Sequence, residues 1–444
     1  MRKNVARQLP LVPSRIDHVH ARELVRMGEV LAKLPRAAAL VTRDLLEGRS
    51  RSSGRPGMTG DQVLRCVLVM QLSKMTFRQL AFHLIDSNTY RSFCRFGIYD
   101  RVPAHSTLHE NIKRLKPETL ERINGMLLQH ALESGVERAD KVRVDSTVVE
   151  SAIHYPNDSS LLYDSVRALT DRLDRAADLV EVCYSDHRKR AKRRALEIAN
   201  AKNMSARMSP YRDLFKITVW TMDYAEQGVQ ALRRSTKVQA ASLHDELNRY
   251  IGLAKRALDQ AQRRVLGGES VPAEQKLVSI FEPHTDILIK DNRETHYGHK
   301  TFLTVGKSGM VLDLVVERGN PSDVTRAVTM VERHTKLFGK APKQASFDGG
   351  FASRANLGAI KQLGVEDVAF AKRKGIAVEE MTSTDRVYRE LRRFRAGVEA
   401  IISLLKRSFG FGRCTWRGYG SFRAYAWASV LSANLLMHAR HTLD

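Results

Sequence analysis

The chain has 444 residues, with 73 Lys and Arg against 49 Asp and Glu; its formal net charge is +24, its pI is near 10.1, and its 43% hydrophobic content is that of ordinary globular proteins. The length supports two or three domains, each with its own core, and the charge points to a polyanionic partner. No apolar run approaches the ~20 residues that span a bilayer, the N-terminus Met1-Arg2-Lys3-Asn4 lacks an apolar signal core, and Cys66, Cys94, Cys183 and Cys414 form no Cys-x-x-Cys pair. A membrane protein, a zinc finger and a disulfide scaffold are thereby disfavoured, and a cytoplasmic protein with reduced, packed thiols is expected.

From Ile16 to about Glu47 the apolar residues Val19, Leu24, Met27, Val30, Leu31 and Leu34 recur at helical spacing, and a stretch with Arg49, Arg51 and Arg55 among Ser and Gly then breaks the pattern. Residues 1–57 thus read as a helical segment and a basic linker, and residues 58–135 as a small helical domain. Its helices cover Asp61 to Leu72 and Thr76 to Ile85, and a further one starts near Ser106-Thr107, where Thr107 and Glu110 fit a capping box. Arg65, Lys74, Arg78, Arg91, Arg95, Lys113 and Arg114 suit a helix-turn-helix-like DNA module, although a helical dimerisation or packing domain fits the same pattern.

At Val142 to Val149 the composition turns β-branched, the mark of a strand, yet Asp145 sits in its middle. Either it faces water or it occupies a site that needs its charge. The stretch 161–285 reads as a largely helical insertion, most basic at His187-Arg188-Lys189-Arg190-Ala191-Lys192-Arg193-Arg194. Arg188, Lys189, Arg190, Lys192, Arg193 and Arg194 are expected to meet phosphates.

Strands return at Lys300 to Val305 and Met310 to Glu317 around the turn Gly306-Lys307-Ser308-Gly309, followed by a helix from Asp323 to Leu337 and a strand ending at Phe347-Asp348. A helix from Ser353 to Leu363 closed by Gly364, a strand from Val365 to Phe370 and a long helix from Asp385 to Lys406 complete the set. Without the insertion, this is the order of an RNase H-like fold. The expectation is an α/β catalytic core over 136–160 and 286–444, a mixed five-stranded sheet with flanking helices, joined to an N-terminal helical domain and a large helical insertion.

Phosphodiester cleavage needs an activated water or hydroxyl and a stabilised leaving oxygen, and two divalent ions held by a few carboxylates supply both. Asp145 and Asp348 lie on neighbouring strands in the inferred order. On the long helix the stripe Leu391, Phe394, Val398, Ile401 and Leu405 marks the buried face. With Arg395 as zero, Glu399 falls at about 40° and Lys406 at about 20°, so the three share a stripe, with Arg392 near it. A surface ion pair four residues apart would look the same.

Taken together, these segments resemble the DDE transposases of bacterial insertion sequences, in particular the subgroup whose third motif runs Tyr, two residues, Arg, three residues, Glu, six residues, Lys. Arg395, Glu399 and Lys406 fit that spacing; Val144-Asp145-Ser146-Thr147 is similar to the first-aspartate motif and Phe347-Asp348-Gly349-Gly350-Phe351 to the second. Tyr297-Gly298-His299-Lys300 and Gly319-Asn320-Pro321-Ser322-Asp323 are further similar segments, so the likeness runs from about Met58 to the C-terminus. It implies that Asp145, Asp348 and Glu399 are the catalytic triad and hold two Mg²⁺ or Mn²⁺ ions, with no other cofactor. Arg395 and Lys406 would contact the transposon-end backbone, and Arg392 and Lys300 are further candidate DNA contacts. Arg392 stands where the subgroup has Tyr, and the insertion follows the first strand rather than preceding the glutamate helix, so no hairpin or base-flipping role carries over.

The implied protein binds the terminal repeats of its element and target double-stranded DNA as a homodimer in the cytoplasm, at the nucleoid, and joins strands by hydrolysis and 3′-OH attack. A nuclease without strand transfer, or a non-catalytic DNA-binding descendant, are the alternatives. Of the remaining residues, Asp323 is expected to cap the helix after Pro321, Asp313 to point outward from its strand, Trp220 and Trp416 to pack in the core, and His296 and His299 to serve core or phosphate contact rather than zinc.

Overall fold

A computed structural model describes residues 17–48, 57–97, 99–290 and 294–441; Met1 to Asn4 and the linker arginines Arg49, Arg51 and Arg55 lie outside the described residues. The helices before the first strand are α1 (Val19–Ala32), α2 (Pro35–Leu46), α3 (Gly60–Leu72), α4 (Phe77–Asp86), α5 (Asn88–Phe93), α6 (His105–Ile112) and α7 (Pro117–Glu133). Thr59 with Gln62 and Thr76 with Gln79 close capping boxes on α3 and α4, while Pro35 splits the first helical stretch by opening α2. The box expected at Thr107 and Glu110 does not form. Ala104 is extended and the chain turns helical after it, so α6 begins at His105 with Ala104, which has no side-chain acceptor, at its cap.

Next come β1 (Lys141–Ser151) and the insertion helices α8 (Asp158–Ala177), α9 (Arg188–Asn200), α10 (Met204–Arg233) and α11 (Val238–Val265), which bury Leu169, Leu214 and Leu247 in a core of their own. The rest of the chain forms β2 (Asp286–Lys290), β3 (Glu294–Val305), β4 (Val311–Val316), α12 (Ala327–Phe338), β5 (Gln344–Phe347), α13 (Arg354–Gln362), β6 (Asp367–Phe370), α14 (Val378–Met381), α15 (Asp385–Ser408), β7 (Arg413–Cys414) and α16 (Tyr419–His441).

The mixed sheet has seven strands rather than five, in the order β2-β3-β1-β5-β6, with β4 also on β3 and β7 also on β1. The additions are short: β2 is five residues at the end of the insertion and β7 only two. β3 is antiparallel to β1, β2 and β4, whereas β5 is parallel to β1 and β6. Along one edge of β1, β5 pairs with Lys141 to Val144 and β7 with Glu150 and Ser151, so the stretch from Asp145 to Val149 has no strand beside it there. Three carboxylates, those of Asp145, Asp348 and Glu399, gather at this gap.

The helices before β1 share one hydrophobic core with the sheet, and α16 runs through it, packed against α1, α3 and α7 as well as β4. Because α16 is apolar on nearly every side, it has no periodic stripe to betray it. Its buried Asn434 is fully engaged: its carbonyl accepts the Val311 N–H at 2.8 Å, and its amide donates to the Val311 carbonyl and to Asn124 at 2.8 Å each. The β3–β4 turn is held from below by buried Glu137, whose carboxylate accepts the N–H groups of Arg138, Ala139 and Ser308 and the Ser308 hydroxyl. A Cβ at Gly306 would lie 2.2 Å from a Glu137 oxygen, so only glycine fits.

Asp313 and Trp220 depart from expectation. Asp313 does not face water but is 1% exposed, because α12 covers that side of β4 and Arg333 meets its carboxylate at 2.6 and 2.7 Å. Trp416 is buried as expected, but Trp220 is 40% exposed on α10, beside His187 and under the Arg190 guanidinium.

A candidate active site of three carboxylates around one guanidinium

The parallel register between β1 and β5 ends at Val144 opposite Phe347. Asp145 and Asp348 are the next residue of each strand, so the register itself brings the two carboxylates to neighbouring positions. Beyond Phe347 the chain turns sharply through Gly349–Phe351, and a Cβ on Gly349 would come within 2.7 Å of the Lys372 side chain. Phe347 and Phe351 are buried on either side of this turn and fix where Asp348 projects.

The third carboxylate comes from α15. Leu391, Val398 and Leu405 are fully buried against β1, β5 and β6, as the stripe predicts, and the Tyr388 hydroxyl donates to the Phe370 carbonyl at 3.0 Å. A second tether was not foreseen. Arg143, two residues before Asp145, donates from Nη1 to the Phe394 carbonyl at 2.9 Å, with its guanidinium 4.6 Å from the Phe394 ring. Its path lies against Gly397, where a Cβ would stand 2.3 Å from Nη1. The sequence signal was a lone glycine within an otherwise strong helix, placed between Arg395 and Glu399.

Arg395 occupies the centre. Its Nη2 lies 3.1 Å from Asp145 Oδ2 and 3.1 Å from Asp348 Oδ1, and its Nη1 lies 3.2 Å from Glu399 Oε1. Asp145 is 8% exposed, and burial pushes its carboxyl up to about 6 despite the opposing pull of Arg395 and of the Ser146 N–H; Asp348 and Asp323 push the same way as burial. Glu399 is 69% exposed on its side chain and closes the solvent side.

Asp323 is a fourth carboxylate beside the three. It does not cap a helix, since a short 3-10 turn, Asp323–Thr325, precedes α12 and leaves its side chain free to meet Lys300 Nζ at 2.7 Å. Lys300 also donates to the Pro321 carbonyl at 2.9 Å, so its ammonium is engaged within the protein.

The donor set consists of carboxylate oxygens, the chemistry that hard divalent cations such as Mg²⁺ and Mn²⁺ prefer. Among the described residues no group of three or more His, Cys, Asp or Glu side chains is yet drawn together closely enough to hold a metal ion. The carboxylates surround a cation of the protein's own instead, the guanidinium of Arg395.

The other expected contacts are dispersed. Lys406 lies two helical turns beyond Glu399 and lines a cleft between the sheet and the N-terminal helices, while Arg392 is exposed 5.9 Å from the Tyr388 ring. On α9, Arg188 is paired with Asp171, Asp174 and Asp186, and Arg190 and Arg194 with Asp213. Lys189, Lys192 and Arg193 face solvent, Arg193 at 3.9 Å from Glu197. His296 pairs with Glu150, and His299 is buried between His284 and Asp286.

Residues 270–435 match the family described as "Transposase DDE domain", and residues 19–114 match the "Transposase domain (DUF772)" family. A protein of Rhizobium meliloti, "Uncharacterized protein ORF8 in nfe locus", is 25% identical over 160 residues, which are 35% of this chain and 77% of that protein. No solved structure matches. Both matches are to transposase families, and together they support a DDE transposase of an insertion sequence. Asp348 and Glu399 lie within the matched DDE domain; Asp145 lies outside both matches and is brought to them by the sheet.

Proposed function

We propose that this transposase binds the terminal repeats of its own element as a homodimer, cuts there by hydrolysis, and joins the freed 3′-OH to target DNA. The observation that carries this reading is the convergence of Asp145, Asp348 and Glu399 on the single guanidinium of Arg395. The core is read as RNase H-like, with β3, β1, β5 and β6 as its central strands and α15 as the helix that brings the glutamate. When bound, two Mg²⁺ or Mn²⁺ ions would activate the attacking oxygen and stabilise the leaving one.

Asp145 and Asp348 would hold the ions from the sheet and Glu399 from the helix. Arg395, beside all three carboxylates, would take a phosphate of the bound strand, and Lys406 would continue the same face of α15 along the DNA. Association at the nucleoid follows from the charge of +24.

The test incubates purified protein with Mg²⁺ and labelled DNA carrying the ends of its element, beside Asp145→Ala, Asp348→Ala and Glu399→Ala, with binding followed in parallel. Cutting and joining by the wild type, with all three variants bound but inert, is the expected outcome. Cutting without joining would make the protein a nuclease, and wild-type binding without any cutting would make it a non-catalytic DNA-binding protein.

A further inference from the structure

The cleft that Lys406 lines has a volume of about 710 Å³ and lies between the α3–α4 turn, the end of β1 and the segment linking α15 to α16. A space of this size takes a nucleotide or two and is too small for a duplex. At its floor is Gln71, 2% exposed, whose Oε1 takes the Ser429 hydroxyl at 3.4 Å and whose Nε2 has no partner among the described residues. A buried donor left unpaired is destabilising, and one that lines a cleft can recover this from a ligand acceptor.

The rim is cationic, with Lys74, Lys406 and Arg413, and Phe77 and Trp416 supply aromatic wall. The one acidic lining residue, Glu150, is already paired with His296 at 2.9 Å. Lys74 is held at φ 48°, in the left-handed region, at the tip of the turn. On its other side Phe77 meets His109 of α6 edge-on at 5.1 Å, so the cleft adjoins a helix that exposes His105, Ser106 and Thr107.

Two routes give its distance from the carboxylates. Val148, a lining residue, is three strand residues beyond Asp145, or about 10 Å. Lys406 is seven helix residues beyond Glu399, again about 10 Å. At ~3.4 Å per nucleotide of one strand, that places the cleft within about three nucleotides of a phosphate bound at the carboxylates.

The geometry points to this cleft as a subsite for one nucleotide of the element end next to the cleavage position, an inference that rests on the transposase reading above. Gln71 donates from Nε2 to an acceptor on the edge of its base, and Lys74 neutralises its phosphate. Aromatic contact with the base is sequence-tolerant, whereas the amide gives preference at that position. The N-terminal helices thus complete a site that the catalytic sheet alone leaves open on one side.

The experiment uses the full chain and duplexes of the element end with 2-aminopurine at each of the first few positions beside the cleavage site. Fluorescence is read in Ca²⁺, so that strands stay intact, and cleavage is read separately in Mg²⁺. The expected result is a severalfold rise at one position, lost in Gln71→Leu and in Lys74→Ala although gel shift shows both still bound to the end. Lys74 is exposed, so its variant carries the test if Gln71→Leu fails to fold. Persistence of the rise in Lys74→Ala and in every folded Gln71 variant, or a bound end that brightens nowhere, overturns the assignment. A rise lost in the variants, with no wild-type cleavage in Mg²⁺, upholds the subsite and overturns the catalytic reading instead.

Discussion

Asp145 and Asp348 occupy the first positions past the end of the β1–β5 ladder, one on each of two parallel strands. Two carboxylates so placed repel each other, and the protein answers with Arg395, which touches both and Glu399 as well. Arg395 neutralises the cluster from within, and a metal ion held by the same carboxylates would compete with its guanidinium.

Replacing Arg395 with Gln is therefore expected to tighten Mn²⁺ binding in the absence of DNA by roughly tenfold or more, about 1.4 kcal/mol, the scale of a close charge pair. Titration followed by electron paramagnetic resonance measures it. Equal or weaker binding by the variant would show that Arg395 does not stand in for the metal.

The raised carboxyl of Asp145 gives a pH prediction with a definite sign. Its folded value of about 6 lies above the ordinary 3.8, so the folded state binds this proton more tightly and loses stability as pH rises through that interval. Asp145→Asn should accordingly melt above the wild type at pH 7.5 and close to it near pH 4. Without DNA, Mn²⁺ affinity should fall as pH drops below about 6, since the proton and the metal share the same oxygens. A melting difference unchanged across that interval would contradict the burial argument.

Gly397 allows Arg143 to reach the backbone of α15, and a larger residue there would meet the Arg143 guanidinium and displace it from the Phe394 carbonyl. Gly397→Val should cost about 1–3 kcal/mol by overpacking and reduce cleavage more than DNA binding, because it lifts Glu399 from the two aspartates. Chemical denaturation and a gel-shift assay separate the two effects; cleavage at the wild-type rate would mean that the helix can shift without harm.

The basic run of α9 divides into two kinds of residue. Arg188 is enclosed by three aspartates, so Arg188→Ala should lower the melting temperature and leave the salt dependence of DNA binding unchanged. If the exposed Lys189 and Lys192 touch phosphates, replacing both with Ala should reduce the log–log salt slope by about 2. An unaltered slope would assign that helix face to solvent alone.

These contrasts show what the sequence made legible. Asp145 stood out because a strand interior disfavours it, whereas Glu399 shared a stripe with Arg395 as a surface ion pair also would, and the resemblance singled it out. Asp323, Arg143 and Gly397 did not stand out, since their roles depend on which segments the sheet brings together, and neither Lys300 pairing with Asp323 nor Arg143 crossing α15 leaves a local pattern. β7, two residues long, carries too little pattern to read, and α16, buried on nearly every side, lacks periodicity. In α9 the sequence displayed the cations, while the aspartates that neutralise some of them lie on neighbouring helices or loops.

The last long helix also has a bearing on the life of the polypeptide. α16 fills the space among α1, α3 and α7, and Arg440 near its end pairs with Glu23 in α1 at 2.7 Å. A ribosome delivers α1, α3 and α7 well before α16, so these helices lack one of their packing partners until α16 emerges. A copy of the gene broken between α7 and α16 would yield helices whose shared core lacks the element that fills it.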